Sequence, residues 1–211
     1  MRRKTIELFS GTGSFSKVAK QQGFETCTVD IDPSLAPDVV SDIQKISKLS
    51  NDSYIVWASP PCQSFSVASI GKNWKIQNME PKTDKVKESL KLLDHTIFLI
   101  SDCRPTYWFI ENPRGMMRKI INPIFRKYEL NPIRHTVTYC QYGDKRMKPT
   151  DIWTNCKEWQ PKPPCKNGQP CHVPAPRGSN TGTQGLKGAK ERGVIPPALF
   201  EEIFRSTGGK I

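Results

Sequence analysis

The chain has 211 residues, of which 36% are hydrophobic and 25% charged, and its 32 Lys and Arg against 20 Asp and Glu give a net charge of +12. This length suits one domain, and the composition excludes a collagen-like or wholly disordered chain. No apolar run approaches the about 18 residues of a membrane span, and the basic residues 1–4 precede a segment too polar for a signal core. We therefore expect a cytoplasmic protein whose basic surface binds a polyanion, nucleic acid first of all.

Strand-like and helix-like segments alternate along the first two-thirds of the chain. β-strand character is found at residues 5–9, 25–29, 53–58 and 106–110, and helical spacing of apolar residues at 15–22 and 86–101. This alternation predicts an α/β fold with a mostly parallel sheet. Residues 155–185 are rich in proline and predict an irregular insert, after which residues 186–205 are again helical.

Unusual residues follow three of the predicted strands, where open α/β sheets bind their ligands. The first strand leads into a loop whose glycines let a ligand approach the backbone closely; it reads Phe9-Ser10-Gly11-Thr12-Gly13. Asp30 ends the second strand at the position where an acid can accept the hydroxyls of a ribose. A tight turn and a helix-capping acid are the alternatives. Asp42 and Ile43 would follow the next strand, where a carboxylate could bond an adenine amino group.

A cysteine and a glutamate follow the other two strand ends. Cys62 stands directly after Pro60 and Pro61 on a rigid polar loop, which favours a reactive thiol over a buried structural one. Glu111 opens a Glu-Asn-Pro sequence after the strand at 106–110. A glutamate held near a thiol can donate a proton if its pKa is raised, although a solvated strand-end acid would look the same.

These segments, in this order, resemble the DNA cytosine-5 methyltransferase family. Its motifs are a Phe-x-Gly-x-Gly cofactor loop, a Pro-Cys-Gln nucleophile loop and a Glu-Asn-Val or Glu-Asn-Pro strand end. The sequences Asp42-Ile43 and Val194-Ile195-Pro196-Pro197 are similar to two further motifs. The resemblance implies a Rossmann-like, S-adenosylmethionine-dependent methyltransferase sheet with helices on both faces. It further implies a compact, phage-like member, of the kind used in restriction–modification, that acts as a monomer on double-stranded DNA.

The resemblance also assigns roles to single residues. The implied catalytic residues are Cys62, Glu111 and Arg146, and the target cytosine would be flipped out of the duplex. The implied cofactor-binding residues are Phe9, Ser10, Gly11, Thr12, Gly13, Asp30, Ile31, Asp42, Ile43 and Pro60. This chain differs most from the family at the Gln-x-Arg-x-Arg motif, because Tyr142-Gly143 is followed here by Asp-Lys-Arg-Met-Lys. Arg146 is the candidate to reach the base and Lys148 the next; a basic surface loop touching phosphate is the alternative.

The insert occupies the position where the family carries a target-recognition domain. We therefore divide the chain into a catalytic domain (1–154), a small recognition insert (155–185) and a C-terminal helix returning to the catalytic domain (186–211). Bases and phosphates would be contacted by Lys157, Lys162, Lys166, Arg177, Asn180, Thr181, Thr183 and Gln184. A passive linker is the alternative.

Cysteine and histidine residues suggest that the insert is held together by a metal. Structural zinc is predicted at Cys165, Cys171 and His172, with Cys140 or Cys156 as the fourth ligand; free cysteines are the alternative. Other functions also remain open at this stage. An amino-methyltransferase would need neither Cys62 nor Glu111, whereas an RNA cytosine-5 methyltransferase or an inactive DNA-binding accessory protein could share the fold.

Overall fold

The computed structural model describes residues 3–174 and 188–209, apart from the side chain of Ala189. Nine strands are found there: β1 Lys4–Leu8, β2 Glu25–Asp30, β3 Val39–Val40, β4 Ser53–Ala58, β5 Trp74–Lys75, β6 Glu80–Pro81, β7 Tyr107–Pro113, β8 Ile133–Thr138 and β9 Pro149–Thr154. The helices are α1 Ser14–Gln21, α2 Ile70–Asn73, α3 Asp84–Cys103, α4 Met117–Ile120, α5 Asn122–Lys127, α6 Ala189–Gly193 and α7 Pro197–Ser206. Short 3₁₀ turns lie between several of these elements.

Seven strands form one sheet in the order β3-β2-β1-β4-β7-β9-β8. The pairs from β3 to β7 are all parallel, and β9 runs antiparallel to both of its neighbours. The strand order reverses direction at β1, which places the end of β1 beside a topological switch point. Open α/β sheets bind their ligands at such a point.

Helices cover both faces of the sheet because the central strands are apolar on both sides. In β4, Ile55 and Trp57 belong to one buried cluster and Val56 and Ala58 to the other. The first cluster is closed by α1 and α7, and the second by α3, α4 and α5. The predicted α/β class with helices on both faces is confirmed.

The structure differs from the sequence-based expectations in four places. Strands β8 and β9 were not predicted, and Glu111 lies inside β7 rather than after its end. The segment expected to form one C-terminal helix forms two, α6 and α7, which residues 194–196 separate. The first part of the segment predicted as an irregular insert belongs to the core, because Cys156 and Trp159 are fully buried against α7 and the sheet. None of the helices in the described part of the chain is long and apolar enough to cross a membrane.

Candidate active site

The sheet register brings the predicted functional segments to one edge. Leu8 is aligned with Val29 of β2 and with Ala58 of β4, and Ala58 is aligned with Ile110 of β7. The residues that follow these positions therefore emerge side by side. They include the glycine-containing loop after β1, Asp30, the loop that carries Cys62, and Glu111.

The loop after β1 is held open by glycines and by two carboxylates. Gly11 and Gly13 have φ values of 51° and 66°, a left-handed conformation that side chains disfavour. Asp30 accepts a 2.8 Å hydrogen bond from the backbone N–H of Gly11. Buried Glu7 accepts the N–H groups of Phe15 and Ser16, at 3.2 and 2.9 Å, and so fixes the start of α1. Together these contacts present a backbone turn to the edge of the sheet.

A cavity of about 760 Å³ lies against this turn. Its lining includes Gly11, Thr12 and Ser14 of this turn together with Glu191 and Ile195 from the C-terminal segment. This volume falls in the range of small-molecule and cofactor sites. The site's edge also carries Ile31, an apolar side chain that is 66% exposed directly after Asp30.

Asp42 and Ile43, the residues predicted to lie beside the adenine, follow β3 as expected. Their contacts in the structure are with the protein itself. Asp42 is the N-terminal cap of a 3₁₀ turn, and its carboxylate accepts a 3.0 Å hydrogen bond from the N–H of Gln44. Ile43 is buried. One carboxylate oxygen of Asp42 thus has a structural partner, and its role toward a ligand stays a prediction.

The loop that carries Cys62 is fixed from the neighbouring strand. Asn112 of β7 is fully buried and donates a 2.9 Å hydrogen bond to the carbonyl of Pro60. Cys62 then opens a 3₁₀ turn, Cys62–Ser64. Beyond it, a Cβ added at Gly115 would lie 2.2 Å from the carbonyl oxygen of Phe65, so only glycine fits at this crossing. Cys62 itself is half-buried, and the contacts of Asn112 and Gly115 fix the loop that carries it.

Glu111 is buried beside Cys62. Burial raises the pKa of the Glu111 carboxyl, although the nearby Lys148 and a hydrogen bond from the Tyr139 hydroxyl, 3.0 Å long, oppose that rise. Burial and the Glu111 charge also raise the pKa of the Cys62 thiol, and Lys148 opposes this. The charges of Glu111 and Lys148 both act on Cys62, and that of Lys148 on Glu111, so the three groups lie close together at this edge of the sheet.

Lys148 is the basic group that interacts with both Cys62 and Glu111. Its ammonium donates a 2.9 Å hydrogen bond to the carbonyl of Arg192 and lies 4.6 Å from the centre of the Tyr139 ring. Burial lowers the pKa of Lys148, and the charge of Glu111 opposes that shift. The chain's Met-Lys sequence before β9 therefore places a cation in the pocket.

Arg146, the first candidate for reaching the base, has contacts of a different kind. Its guanidinium pairs with the Asp144 carboxylate, with the Nε atom 2.9 Å from both oxygens. It also donates hydrogen bonds to the carbonyl groups of Glu191, Arg192 and Val194. Arg146 is only 6% exposed, so these partners account for its donors and it fastens the segment after α6 to the loop before β9.

Two features of the pocket were not found from the sequence. Tyr139, which bonds Glu111, follows β8, a strand that the sequence pattern did not reveal. Likewise, the hydrogen bond from Asn112 to Pro60 links two motifs that are 52 positions apart. The Tyr-Gly sequence at 142–143 was the available signal that this stretch belongs to the site.

A cysteine–histidine cluster lies beside the loop that carries Tyr139. It consists of Cys140, Cys165, Cys171 and His172, whose ligand atoms all lie within 4.8 Å of one another. Cys156, the alternative fourth ligand, is buried in the core instead, where its thiol lies 3.5 Å from Glu158. Of the two residues considered as a fourth ligand, the structure places Cys140 with Cys165, Cys171 and His172; metal binding by this group stays a prediction.

The site and fold can now be compared with known proteins. Residues 3–129 match the family model for C-5 cytosine-specific DNA methylases. A protein of Frog virus 3 (isolate Goorha), named a probable DNA (cytosine-5)-methyltransferase, is 30% identical over 224 aligned positions, which cover 95% of this chain and 98% of that protein. The chain therefore belongs to the C-5 cytosine-specific DNA methylase family, a class of DNA cytosine methyltransferases.

Solved structures agree on the fold. A DNA modification methyltransferase encoded within a prophage of E. coli has a TM-score of 0.52 and 20% identity, over 76% of this chain and 51% of that one. The S. pombe Dnmt2 methyltransferase has a TM-score of 0.51 and 17% identity, over 73% of this chain and 49% of its own. The chain thus spans about half the length of these structures.

Proposed function

We propose that this protein transfers a methyl group from S-adenosylmethionine to carbon 5 of cytosine in DNA, through a covalent adduct between Cys62 and a flipped-out base. This proposal rests mainly on one observation. Cys62, Glu111 and Lys148 act on one another at the sheet edge that also presents the Gly11–Asp30 turn. A thiol, an acid and a cation beside a nucleoside site are the groups that addition to a pyrimidine requires.

The cofactor site fits S-adenosylmethionine by the chemistry of its residues. The loop at 9–13 would hold the cofactor, with Asp30 accepting ribose hydroxyls and exposed Ile31 against the adenine. Asp42, Ile43 and Pro60 complete the predicted set. Bound there, S-adenosylmethionine supplies the electrophilic methyl group that the cytosine takes up. The same carboxylate orders the loop, because its two oxygens accept the N–H groups of Gly11 and Asp32 at 2.8 and 3.0 Å.

Replacing Asp30 with asparagine should weaken binding of S-adenosylmethionine. The amide keeps one acceptor oxygen, so it satisfies only one of the two N–H groups that Asp30 binds, those of Gly11 and Asp32, and offers the ribose hydroxyls fewer acceptors than a carboxylate. A loss of about 1–3 kcal/mol, roughly five- to a hundredfold in Kd, is the scale of an impaired hydrogen-bonded site. Titration calorimetry measures it, with Asp32→Asn as the matched control because Asp32 is an exposed acid two residues away. Equal Kd values for both variants and the parent would remove Asp30 from the cofactor site.

The roles of Cys62 and Glu111 follow from what cytosine lacks. Carbon 5 is a poor nucleophile until a thiolate adds to carbon 6 and converts the ring to an enamine. Cys62 supplies that thiolate, and Glu111 gives its proton to N3 as the ring gains electrons. After carbon 5 has been methylated, it loses its proton to water, the thiolate departs, and N3 returns its proton to Glu111, which restores the neutral aromatic ring and the acid. The raised pKa of Glu111 keeps its proton available above the pH at which an ordinary carboxyl would lose it.

Lys148 rather than Arg146 is assigned to the cytosine. The ammonium of Lys148 acts on both Cys62 and Glu111, and it can stabilise the charge that develops on the base. Arg146 is assigned a positioning role, because it holds the segment after α6 whose Arg192 carbonyl accepts the Lys148 ammonium. Sequence analysis had ranked these two residues in the opposite order.

Replacing Lys148 with methionine should raise the pKa of Cys62 and slow methyl transfer by roughly a hundredfold, the scale of removing one electrostatic contact in an active site. The sign follows from charge: the cation favours the thiolate, so its loss moves thiolate formation to higher pH. The alkylation rate of Cys62 against pH, followed by peptide mass spectrometry, measures this shift. Lys145→Met, an exposed lysine of the same loop, should leave the profile in place. An unshifted profile in Lys148→Met would contradict the assignment.

Double-stranded DNA is the proposed substrate, and the base must leave the stack because carbons 5 and 6 lie inside a duplex. The net charge of +12 supports binding to phosphates. The insert at 155–185 is proposed as the recognition element, since Lys157, Lys162 and Lys166 are exposed or half-exposed and follow the catalytic domain directly. The remaining predicted contacts, Arg177, Asn180, Thr181, Thr183 and Gln184, lie outside the described residues.

The function is tested with a tritiated methyl donor and bisulfite sequencing. The purified protein should transfer label to duplex DNA, and bisulfite sequencing should place the new methyl groups on carbon 5 of cytosine. A parallel arm with total RNA distinguishes the RNA methyltransferase alternative, which would label RNA in preference to DNA. An accessory protein without activity would label neither. Methyl groups on an exocyclic nitrogen would overturn the proposed chemistry.

A further inference from the structure

We propose that the cysteine–histidine cluster binds one structural Zn²⁺ ion, which fastens the insert to the loop that forms the active-site pocket. This site is separate from the methyl-transfer chemistry. Its ligands come from two parts of the chain: Cys140 from the turn after β8, and the other three from the insert. Three thiolates and one imidazole are a common donor set for structural zinc.

The distances in the cluster suit a tetrahedral ion. Zn–S bonds of about 2.3 Å and Zn–N bonds of about 2.0 Å place ligand atoms roughly 3.5–3.8 Å apart. The Nδ1 atom of His172 lies 3.5 Å from the sulfur of Cys165 and 3.6 Å from that of Cys171. The two sulfurs are 3.1 Å apart, closer than that edge but too far for an S–S bond of about 2.05 Å. All seven cysteines are free.

Backbone contacts hold the ligands in place independently of a metal. The N–H of Cys165 donates a 2.8 Å hydrogen bond to the Thr138 hydroxyl at the end of β8. Gly168, with φ of 87°, lets the chain reverse between Cys165 and Cys171. The N–H of Val173 donates to the carbonyl of Lys145 at 2.9 Å. The segment is therefore returned to the catalytic domain on both sides of the cluster.

Burial of His172 also favours a bound cation. The imidazole is 7% exposed, and its Nδ1 atom faces the sulfurs. Its Nε2 atom is buried and has no hydrogen-bond partner among the described residues. A buried imidazole with such a poor set of neutral partners gains from a metal bond at Nδ1, because that bond offsets the cost of its burial.

The position of the cluster gives the ion a consequence for the pocket. Cys140 follows Tyr139, whose hydroxyl bonds Glu111, in the same 3₁₀ turn. Val173 follows the ligand His172 and bonds Lys145, three residues before Lys148. The ion would thus restrain the loop at 139–148 at two points. Four protein ligands leave no open position, so the site is structural and not catalytic.

Metal analysis of protein purified without chelator tests the site. We expect about one zinc per chain in the parent and in Cys27→Ser, which removes a half-buried thiol elsewhere, and less than about a tenth of that in Cys171→Ser. Circular dichroism confirms that the variants are folded. Zinc below about half an equivalent in the parent, or zinc retained in Cys171→Ser, would overturn the proposal.

Cobalt substitution of the parent protein gives a readout that needs no variant. After zinc is removed with a chelator under reducing conditions, Co²⁺ should produce the intense visible bands of a tetrahedral ion and the sulfur-to-cobalt absorption of thiolate ligands. Added Zn²⁺ should then abolish both. Weak octahedral bands alone would contradict a thiolate site. A Cys165–Cys171 disulfide in the freshly isolated protein, detected by mass spectrometry, would also contradict it.

Discussion

Replacing Cys62 with serine should abolish methyl transfer, lowering the rate by about 10⁴-fold or more, as removal of a nucleophile does in other enzymes. Serine keeps the size of the side chain but offers no thiolate, so carbon 6 of the cytosine is not attacked. The loop itself should stay in place, because the contact that fixes it runs from Asn112 to the carbonyl of Pro60 and not to the thiol. Incorporation of tritiated methyl into duplex DNA measures the effect.

Two controls separate a lost nucleophile from a damaged fold. Cys62→Ser should bind S-adenosylmethionine and DNA with Kd values close to those of the parent, and Cys27→Ser should methylate at the parental rate. Duplex DNA containing 5-fluorocytosine should trap the parent covalently, because the fluorine blocks the final loss from carbon 5. Persistent turnover or a trapped adduct in Cys62→Ser would exclude Cys62 as the nucleophile.

The sequence predicted the strand ends better than it predicted the pocket between them. The Gly11–Gly13 turn, Asp30 and Cys62 each follow a strand with a clear apolar pattern, so their shared edge could be inferred from parallel pairing alone. Strand β9 carries Asp151 and two threonines inside the sheet, and its polar pattern hid it from periodicity. Because β8 was missed for the same reason, Tyr139 at its end was missed with it.

The ranking of Arg146 and Lys148 could not be settled by motif spacing. Both residues lie in one short loop, and Lys148 takes a φ of 30°, a backbone conformation that no side-chain pattern predicts. Their contacts separate them: Asp144 and the carbonyls of Glu191, Arg192 and Val194 take up the donors of Arg146, whereas Lys148 bonds the Arg192 carbonyl and its charge acts on Glu111 and Cys62. The burial of Trp159 is a similar case, since its indole bonds Glu202 of α7, 43 positions away.

Replacing Glu111 with glutamine should lower the single-turnover rate of methylation by roughly a hundredfold or more, in the range of general acid catalysts. Glutamine keeps an acceptor for the Tyr139 hydroxyl and nearly the same volume, so the buried site should retain its packing. What is lost is the proton that Glu111 gives to N3. Rapid quench with labelled cofactor measures the single turnover, and Glu201→Gln, an exposed acid on α7, should leave it unchanged.

The same substitution should make Cys62 easier to ionise while making the enzyme slower. The Glu111 charge raises the pKa of the thiol, so its removal should move the alkylation profile of Cys62 to lower pH, opposite to the shift expected for Lys148→Met. In the parent, the reaction needs Cys62 as thiolate and Glu111 protonated, which predicts a bell-shaped dependence of kcat/KM on pH. Its limb at high pH, which reports loss of the Glu111 proton, should disappear in Glu111→Gln. An unchanged rate, or a profile shifted to higher pH, would show that Glu111 is only a buried strand residue.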